Sequence, residues 1–245
     1  APGPRGNPPE PLRAAAARPA RVLGAARFVR SCTSGMDFET RAIHEGQEPD
    51  PATGAITTPI YQTSTYVQDA VGEHKGYDYS RVANPTRTAL QQALASLEGA
   101  DHGIAFSSGL GATTTLMHLV DPGQRVVLIA DVYGGVYRIT SQVYEPKGYI
   151  FDYVPAAEFP NLRHHLDDNT RIVWSESPSN PLLTVVDIRA AADAAHHRCA
   201  IPAADNTIAT PHHTPPPARA PAVPAPDPPE CLRSAPAPAR APPPP

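Results

Sequence analysis

The feature that most constrains the fold is an alternation of strand-like and helix-like segments through the middle of this 245-residue chain. Residues 125–130 read RVVLIA, a continuous apolar run that is typical of a strand buried on both faces of a parallel sheet. Residues 86–98 predict a helix that places Ala89, Leu90, Ala93, Leu94 and Leu97 on one face, and Gly99 follows as a C-terminal stop. This alternation predicts an α/β fold, in which a mostly parallel sheet carries helices on both faces.

Similar patterns continue the alternation on either side of this strand. Further strands are predicted at 103–106, 149–154, 171–174 and 200–204, and further helices from 107 to about 120, from about 135, around 159–166 and at 187–198. Pro202 would remove one ladder hydrogen bond from the last strand. Because ligands of such sheets bind outside the carboxyl ends of the strands, the loops that follow the strands are the candidate site.

Proline is distributed unevenly and divides the chain into zones. Fourteen of the 32 prolines fall in residues 212–245, where we expect neither a helix interior nor a central strand. Residues 1–35 contain six arginines and a single acidic residue, which is typical of an organellar targeting segment or of a disordered extension. We favour the extension, since its prolines suit an amphipathic targeting helix poorly. Ordinary globular composition lies between these zones.

Charge and cysteine content limit the possible partners. The formal net charge of −4 argues against a nucleic-acid or membrane-surface partner, and no apolar run approaches the roughly 18 residues that span a bilayer. The three cysteines are widely spaced without a CxxC pair, which predicts a reducing, cytoplasmic setting. The histidine pairs at 164–165, 196–197 and 212–213 do not predict a metal site, because neighbours on a helix diverge by about 100°.

Two loops that follow predicted strands carry groups suited to a phosphorylated aromatic ligand. Residues 107–111 read SSGLG at a helix start, where backbone N–H groups and an unobstructed glycine can cradle a phosphate. The same residues also fit a simple serine cap with a packing glycine. Tyr133 precedes two glycines and could lay its ring on a flat heteroaromatic group, or pack at the sheet edge.

The next two loops add an amide and a carboxylate. Asn180 lies between two prolines, so it is either oriented toward a carboxylate or phenolic oxygen, or is a turn residue. Asp205 could keep a pyridine nitrogen protonated, as pyridoxal phosphate requires, or could cap a helix. Each signal is weak alone. Together, four successive strand ends carry groups that suit four parts of one cofactor.

These motifs resemble the Cys/Met-metabolism family of pyridoxal-phosphate enzymes, the cystathionine γ-synthase and γ-lyase group. The resemblance runs from Phe38 to Pro211 and is carried by residues 38–66, 77–100, 105–110, 131–138, 176–188 and 205–211. It implies an incomplete large domain of the aminotransferase-like type, fold type I, with pyridoxal 5′-phosphate as cofactor. It also implies self-association, as a homotetramer.

The resemblance assigns the cofactor's phosphate to two sets of residues. Tyr79 and Arg81, in the YSRxxNPT motif, would hold the phosphate of the neighbouring subunit's cofactor. Ser108, Gly109 and Leu110 would form the phosphate loop of the chain's own site. Leu110 replaces a more usual methionine, a mild change because the backbone would do the binding.

The ring and the substrate are assigned to residues nearer the C-terminus. Tyr133 would stack on the pyridine ring and assist proton transfer, and it is the catalytic residue among those assigned. Asn180 would lie beside the cofactor's phenolic oxygen and the substrate carboxylate. Asp205 would pair with the ring nitrogen, and Thr207 would lie next to the ring.

The family's pattern continues to an SxTKY-type motif whose lysine binds the cofactor covalently, and residues 212–245 contain no such motif. The chain has only two lysines, Lys75 and Lys147, and both precede Asp205. We interpret them as solvated surface charges. The printed chain is therefore predicted to lack meaningful turnover.

The resemblance stops at Pro211, where the proline-rich tail begins. A shifted reading frame or a premature end would explain this coincidence, and we favour it over a genuine polyproline linker or ligand. The predicted divisions are an N-terminal extension at 1–35, an arm toward the neighbouring subunit's site at 36–85, a partial cofactor domain at 86–211 and the tail at 212–245.

The resemblance implies a trans-sulfuration enzyme that performs γ-elimination or γ-replacement on small amino acids of the cystathionine or O-acyl-homoserine class. Two other readings stay open at this point. The chain could be a non-catalytic partner subunit that completes a full-length neighbour's site, or a gene fragment without function.

Overall fold

The structure is a computed structural model that describes residues 36–213 of the chain. In chain order its helices and strands are α1 (Phe38–His44), β1 (Gln68–Ala70), β2 (Glu73–His74), α2 (Pro85–Leu97), α3 (Gly109–Met117), β3 (Arg125–Ile129), α4 (Gly134–Ile139), β4 (Ile150–Val154), β5 (Thr170–Glu176), α5 (Ile188–His197), β6 (Ile201–Asp205) and α6 (Thr210–His213). A π-helical turn, Thr140–Tyr144, and a 3₁₀ turn, Glu145–Lys147, follow α4 directly.

Four of these strands form one parallel sheet in the order β4-β3-β5-β6. Val127 pairs with Val173 across β3 and β5, and Trp174 pairs with Ala203 across β5 and β6. The predicted α/β fold with a parallel sheet is confirmed. A separate two-stranded antiparallel sheet is formed by β1 and β2.

The core is centred on β3, in which residues 126–129 are fully buried. Successive side chains of a strand point to opposite faces, so burial of all four requires cover on both faces of the sheet. Apolar residues of the surrounding helices supply it, among them Met117, Val136, Ala191 and Ala195. This arrangement explains why residues 125–130 lack the polar alternation of a half-exposed strand.

Two predicted elements differ from the structure. Residues 103–106 belong to no sheet in the described part of the chain, and Ile104 is 74% exposed. An apolar pattern becomes a strand only when a neighbour accepts its ladder hydrogen bonds; here the N–H of Ala105 instead donates to Gln91 Oε1 at 3.0 Å. The segment predicted as an α-helix around 159–166 is a 3₁₀ helix, Ala156–His165, with a kink at Asn161 that follows Pro160.

Other boundaries moved by a few residues. α3 ends at Met117 rather than near residue 120, and α4 gives way to the π-helical turn after Ile139. Pro202 does lie within β6, which is an edge strand of the four-stranded sheet and so tolerates a missing donor.

The segment before α2 is attached to it by the side chain of Asn84. This N-cap accepts hydrogen bonds from the N–H groups of Thr86 at 2.9 Å and Arg87 at 3.4 Å, which are unpaired at a helix start. Its amide nitrogen also donates to the carbonyl oxygen of Tyr61 at 2.9 Å. α1 packs on α2 as well, and Arg41 donates to the Ser96 carbonyl oxygen.

The predictions for residues 1–35 and 214–245 lie outside the described residues. His212 and His213 belong to the short helix α6, against the expectation that no helix forms after residue 211. Pro211 is tolerated because it lies in the first turn of α6, where the missing N–H has no helical partner. The proposed division at residue 85 stays a prediction.

Removing core volume from β3 is expected to destabilise the fold strongly. Leu128 is fully buried, so Leu128→Ala should lower the free energy of unfolding by about 2–5 kcal/mol through lost burial and a residual cavity. Leu90, on α2, is 51% exposed, and Leu90→Ala should change it by less than about 0.5 kcal/mol. Urea denaturation of both variants measures the difference, and equal effects would contradict the assigned core.

Candidate functional site

The loops that carry the predicted site residues leave the same edge of the sheet. β3, β5 and β6 run parallel and adjacent, so their carboxyl ends at Ile129, Glu176 and Asp205 point in one direction. The loops bearing Tyr133 and Asn180 follow β3 and β5. Parallel pairing thus gathers groups that lie far apart in sequence, at the edge where such sheets bind ligands.

A buried carboxylate joins two of these loops. Glu176, which is 3% exposed, accepts a hydrogen bond from the Tyr133 N–H at 2.7 Å through one oxygen and from the Asn180 N–H at 2.8 Å through the other. Burial raises the pKa of the Glu176 carboxyl, the two N–H donors lower it, and the charges of Asp205 and Asp131 raise it further. Both carboxylate oxygens of Glu176 therefore accept hydrogen bonds from backbone N–H groups.

Asp205 stands beside Glu176 in the strand register, and its backbone carbonyl accepts from the Ser177 N–H at 3.1 Å. One carboxylate oxygen, Oδ1, accepts from the N–H of Thr207 at 3.1 Å and from its hydroxyl at 2.6 Å. The other, Oδ2, has no hydrogen bond to any described residue. Thr207 therefore orients the carboxylate and leaves one acceptor available.

The ring of Tyr133 lies across Gly135. A Cβ at Gly135 would approach the Tyr133 Cε1 atom to 2.4 Å, so only glycine allows this ring position. The tyrosine is 42% exposed, and the ring can receive a flat partner. Gly134, one residue earlier, has open space at the same position.

The start of α3 has the form of a phosphate cradle. Ser108 is its N-cap, and its hydroxyl oxygen accepts from the Gly111 N–H at 3.1 Å. Gly109 has no atom within 4 Å of the position a Cβ would take, so a ligand can approach the backbone there. Leu110 packs against the core. The helix start thus offers unpaired N–H groups behind an open face.

One cavity of about 1030 Å³ brings three of the predicted residues together, Gly109, Asp205 and Thr207. Trp174 also lines it, and the buried indole Nε1 has no hydrogen-bond partner among the described residues. The side-chain amide of Asn180 is exposed and likewise bonds to no described residue. Glu176 links Asn180 and Tyr133 to this edge, although neither lines the cavity.

Tyr79 and Arg81 form a separate pair. The guanidinium of Arg81 donates to the Tyr79 hydroxyl oxygen at 2.9 Å, and its Cζ atom lies 5.0 Å from the centre of the tyrosine ring. These two side chains bond to each other and to no side chain of the strand-end loops in residues 36–213. The two lysines are exposed, Lys147 beside the ring of Tyr144, and neither lines the cavity.

Three residues that the sequence patterns did not single out shape this site. Glu176 had a usable signal, because a carboxylate at the end of an apolar strand is rare unless it is bonded. Gly135 was visible only as one of the two glycines after Tyr133. Trp174 had no signal, since whether a side chain lines a cavity depends on how separate segments pack.

In residues 36–213 no helix is long and apolar enough to cross a membrane, and no group of three histidine, cysteine or acidic side chains could hold a metal ion. The cytoplasmic location stays a prediction.

A parallel sheet with an open helix start, an exposed tyrosine ring and an oriented aspartate at one edge is the arrangement expected of a pyridoxal-phosphate-binding protein. The family of Cys/Met metabolism PLP-dependent enzymes matches residues 39–218, and the chain belongs to this family. The match extends seven residues beyond Pro211, where the resemblance was expected to stop.

Relatives of known name agree with this family. A probable cystathionine gamma-synthase of Herpetosiphon aurantiacus is 49% identical over 176 residues, covering 72% of this chain and 55% of the relative. A cystathionine beta-lyase of Coxiella burnetii is 47% identical over 175 residues, covering 71% of this chain and 45% of the relative. The chain spans about half the length of these relatives.

Solved structures show the same fold. The crystal structure of metB from Corynebacterium glutamicum superposes with a TM-score of 0.70 at 42% identity, covering 73% of this chain and 47% of that one. Cystathionine gamma-lyase from Lactobacillus plantarum, complexed with L-serine, gives a TM-score of 0.69 at 38% identity, covering 72% and 46%. These neighbours confirm the predicted fold class.

Gly135→Ala is expected to weaken binding of pyridoxal phosphate by roughly three- to tenfold, because the new methyl group displaces the stacking ring of Tyr133. Trp174, the single tryptophan of the chain, lines the cavity, so quenching of its fluorescence during titration with the cofactor measures the affinity. Gly134→Ala is the matched control and should bind as the unmodified chain does. Equal affinities of the two variants would contradict the stacking role.

Proposed function

We propose that this chain is the cofactor-binding portion of a trans-sulfuration enzyme that performs γ-elimination or γ-replacement on amino acids of the cystathionine or O-acyl-homoserine class. The observation that carries the proposal is that four segments lie at one edge of the sheet, namely the start of α3 and the loops that follow β3, β5 and β6. Gly109, Asp205 and Thr207 line one cavity at this edge. Family membership and the names of the relatives support it.

The residues fit the cofactor in chemistry and in placement. Pyridoxal phosphate, when bound, supplies an electron-withdrawing ring that stabilises negative charge at the substrate's α-carbon. Backbone N–H groups at Ser108, Gly109 and Leu110 would hold its phosphate. Asp205 would accept the ring N–H through Oδ2, because Thr207 already occupies Oδ1.

Two further side chains would act on the ring and the substrate. Tyr133 would stack on the ring and hold a proton at its hydroxyl near the leaving group, since its ring is held over Gly135 and stays accessible. Asn180 would donate its amide to the substrate carboxylate or the phenolic oxygen, because its backbone is fixed by Glu176 and its side chain is otherwise unbonded.

Neither of the two lysines would be placed to move the α-proton. Lys75 and Lys147 are both exposed, and neither lines the cavity. Loss of a positioned general base costs roughly 10²- to 10⁴-fold in rate. We therefore propose that this polypeptide binds the cofactor without appreciable catalysis.

The purified chain, given saturating pyridoxal phosphate and cystathionine, is expected to turn over at least roughly 100-fold more slowly than a full-length relative such as the cystathionine beta-lyase of Coxiella burnetii. Release of thiol or 2-oxo acid measures the rate. Steady consumption at a rate near that of the relative would contradict the proposed inactivity, while leaving the proposed substrate class in place.

A second candidate function is that of a non-catalytic partner subunit. Tyr79 is half-buried and Arg81 is exposed, and within residues 36–213 neither side chain bonds to a strand-end loop, which leaves the pair available to a neighbour. Residues 56–82 also expose large apolar side chains that a partner could cover, namely Ile56, Ile60, Val67, Val71 and Val82. A functionless fragment is the alternative, for which ready proteolysis and aggregation are the expected signs.

The partner-subunit function predicts that the tagged chain captures a full-length relative from a mixture and that mixed oligomers are active. Arg81→Ala should leave capture intact, since the exposed apolar side chains of residues 56–82 are unchanged. It should lower the activity of the mixed oligomers by removing a phosphate contact from the neighbour's site. Pull-down followed by an activity assay measures both. No capture by the unmodified chain would exclude this function.

A further inference from the structure

Glu176 has an environment that is unusual for a residue of the core. It lies at the last position of β5, it is almost fully buried, and its two oxygens receive N–H donors from two different loops. The loops belong to the residues assigned to the cofactor ring and to the substrate, Tyr133 and Asn180. No lysine or arginine forms an ion pair with Glu176 among residues 36–213.

A buried carboxylate without a cation is costly, and the neighbouring charges of Asp205 and Asp131 add to the cost. A core built for stability alone would place an apolar residue here. Buried ionisable groups in such surroundings are concentrated at functional sites, where they hold other residues in the positions that binding or catalysis requires.

We propose that Glu176 is a positioning residue, whose ionised carboxylate fixes the loops of Tyr133 and Asn180 relative to each other and to Asp205. This inference rests on the proposed function, in which the same sheet edge binds pyridoxal phosphate. The strand register places Glu176 opposite Asp205, and the Ser177 N–H donates to the Asp205 carbonyl oxygen, so the three strand-end groups share one rigid support.

The geometry requires a carboxylate rather than an amide of the same shape. Both bonded groups are N–H donors, and an ionised carboxylate presents two acceptor oxygens to them. A glutamine side chain presents one acceptor oxygen and one NH₂ group. The oxygen can accept from one of the two backbone N–H groups, and the NH₂ group then lies against the other N–H, which is also a donor. Glu176→Gln therefore releases one loop without leaving a cavity.

The test compares Glu176→Gln with Ser175→Ala in the full printed chain. Ser175 is the adjacent residue of β5, is also buried, and donates to the Ala203 carbonyl oxygen, so its loss removes a buried hydrogen bond without touching either loop. Amide hydrogen exchange at Tyr133 and Asn180 reports loop fixation. Circular dichroism of bound pyridoxal phosphate at saturation reports the orientation of its ring, independently of occupancy.

For Glu176→Gln we expect exchange at one or both amides to be at least roughly tenfold faster, and the dichroic band of the saturated cofactor to be reduced. Ser175→Ala should leave both signals unchanged, although it also lowers stability. If Glu176→Gln does not fold, Glu176→Asp, whose shorter carboxylate cannot reach both donors, is expected to give the same two changes.

Unchanged exchange and an unchanged band in the folded variant would overturn the positioning role alone. Equal changes in Ser175→Ala would also overturn it, because the effect would then follow from lost stability. Failure of the unmodified chain to bind pyridoxal phosphate would overturn the proposed function together with this inference.

Discussion

Burial of β3 on both faces is the constraint on which the rest of the structure depends. Its residues 126–129 leave no exposed face, so helices must pack on each side and β4 and β5 must pair along both of its edges. Because these pairings are parallel, every crossover returns to the same end of the sheet. The carboxyl ends of β3, β5 and β6 therefore meet at one edge, and the loops of the site emerge side by side.

The site follows from that edge, and its groups are placed by local and long-range interactions together. Tyr133 is placed by the absence of a side chain at Gly135 and Asp205 by two donors from Thr207, and each of these contacts joins residues two positions apart. The start of α3 is likewise local, since Ser108 caps the helix and Gly109 leaves its backbone open. The long-range element is Glu176, which bonds to the loops of Tyr133 and Asn180, so the proposed cofactor site combines several local motifs with one contact between distant segments.

Sequence patterns predicted the elements well where the signal was local. The helix predicted at 187–198 is α5, Ile188–His197, and the apolar runs at β3 and β5 are buried strands. The segment at 103–106 was wrong as a strand because its pattern says nothing about a neighbour to pair with. The helix expected near residue 160 was tightened to 3₁₀ geometry by Pro160, which lacks the donor that an α-helix interior uses.

The sequence by itself determined the α/β class, the chemical groups at each strand end and the family to which the chain belongs. These follow from periodicity, residue type and motif order, which are properties of short segments read in turn. Only the tertiary structure decided that Glu176 joins two loops, that Trp174 faces the cavity and that Tyr79 and Arg81 make no bond to the strand-end loops in residues 36–213. Those relations depend on strand register and on packing between segments far apart in sequence, such as Tyr133 and Glu176, which are separated by 43 residues.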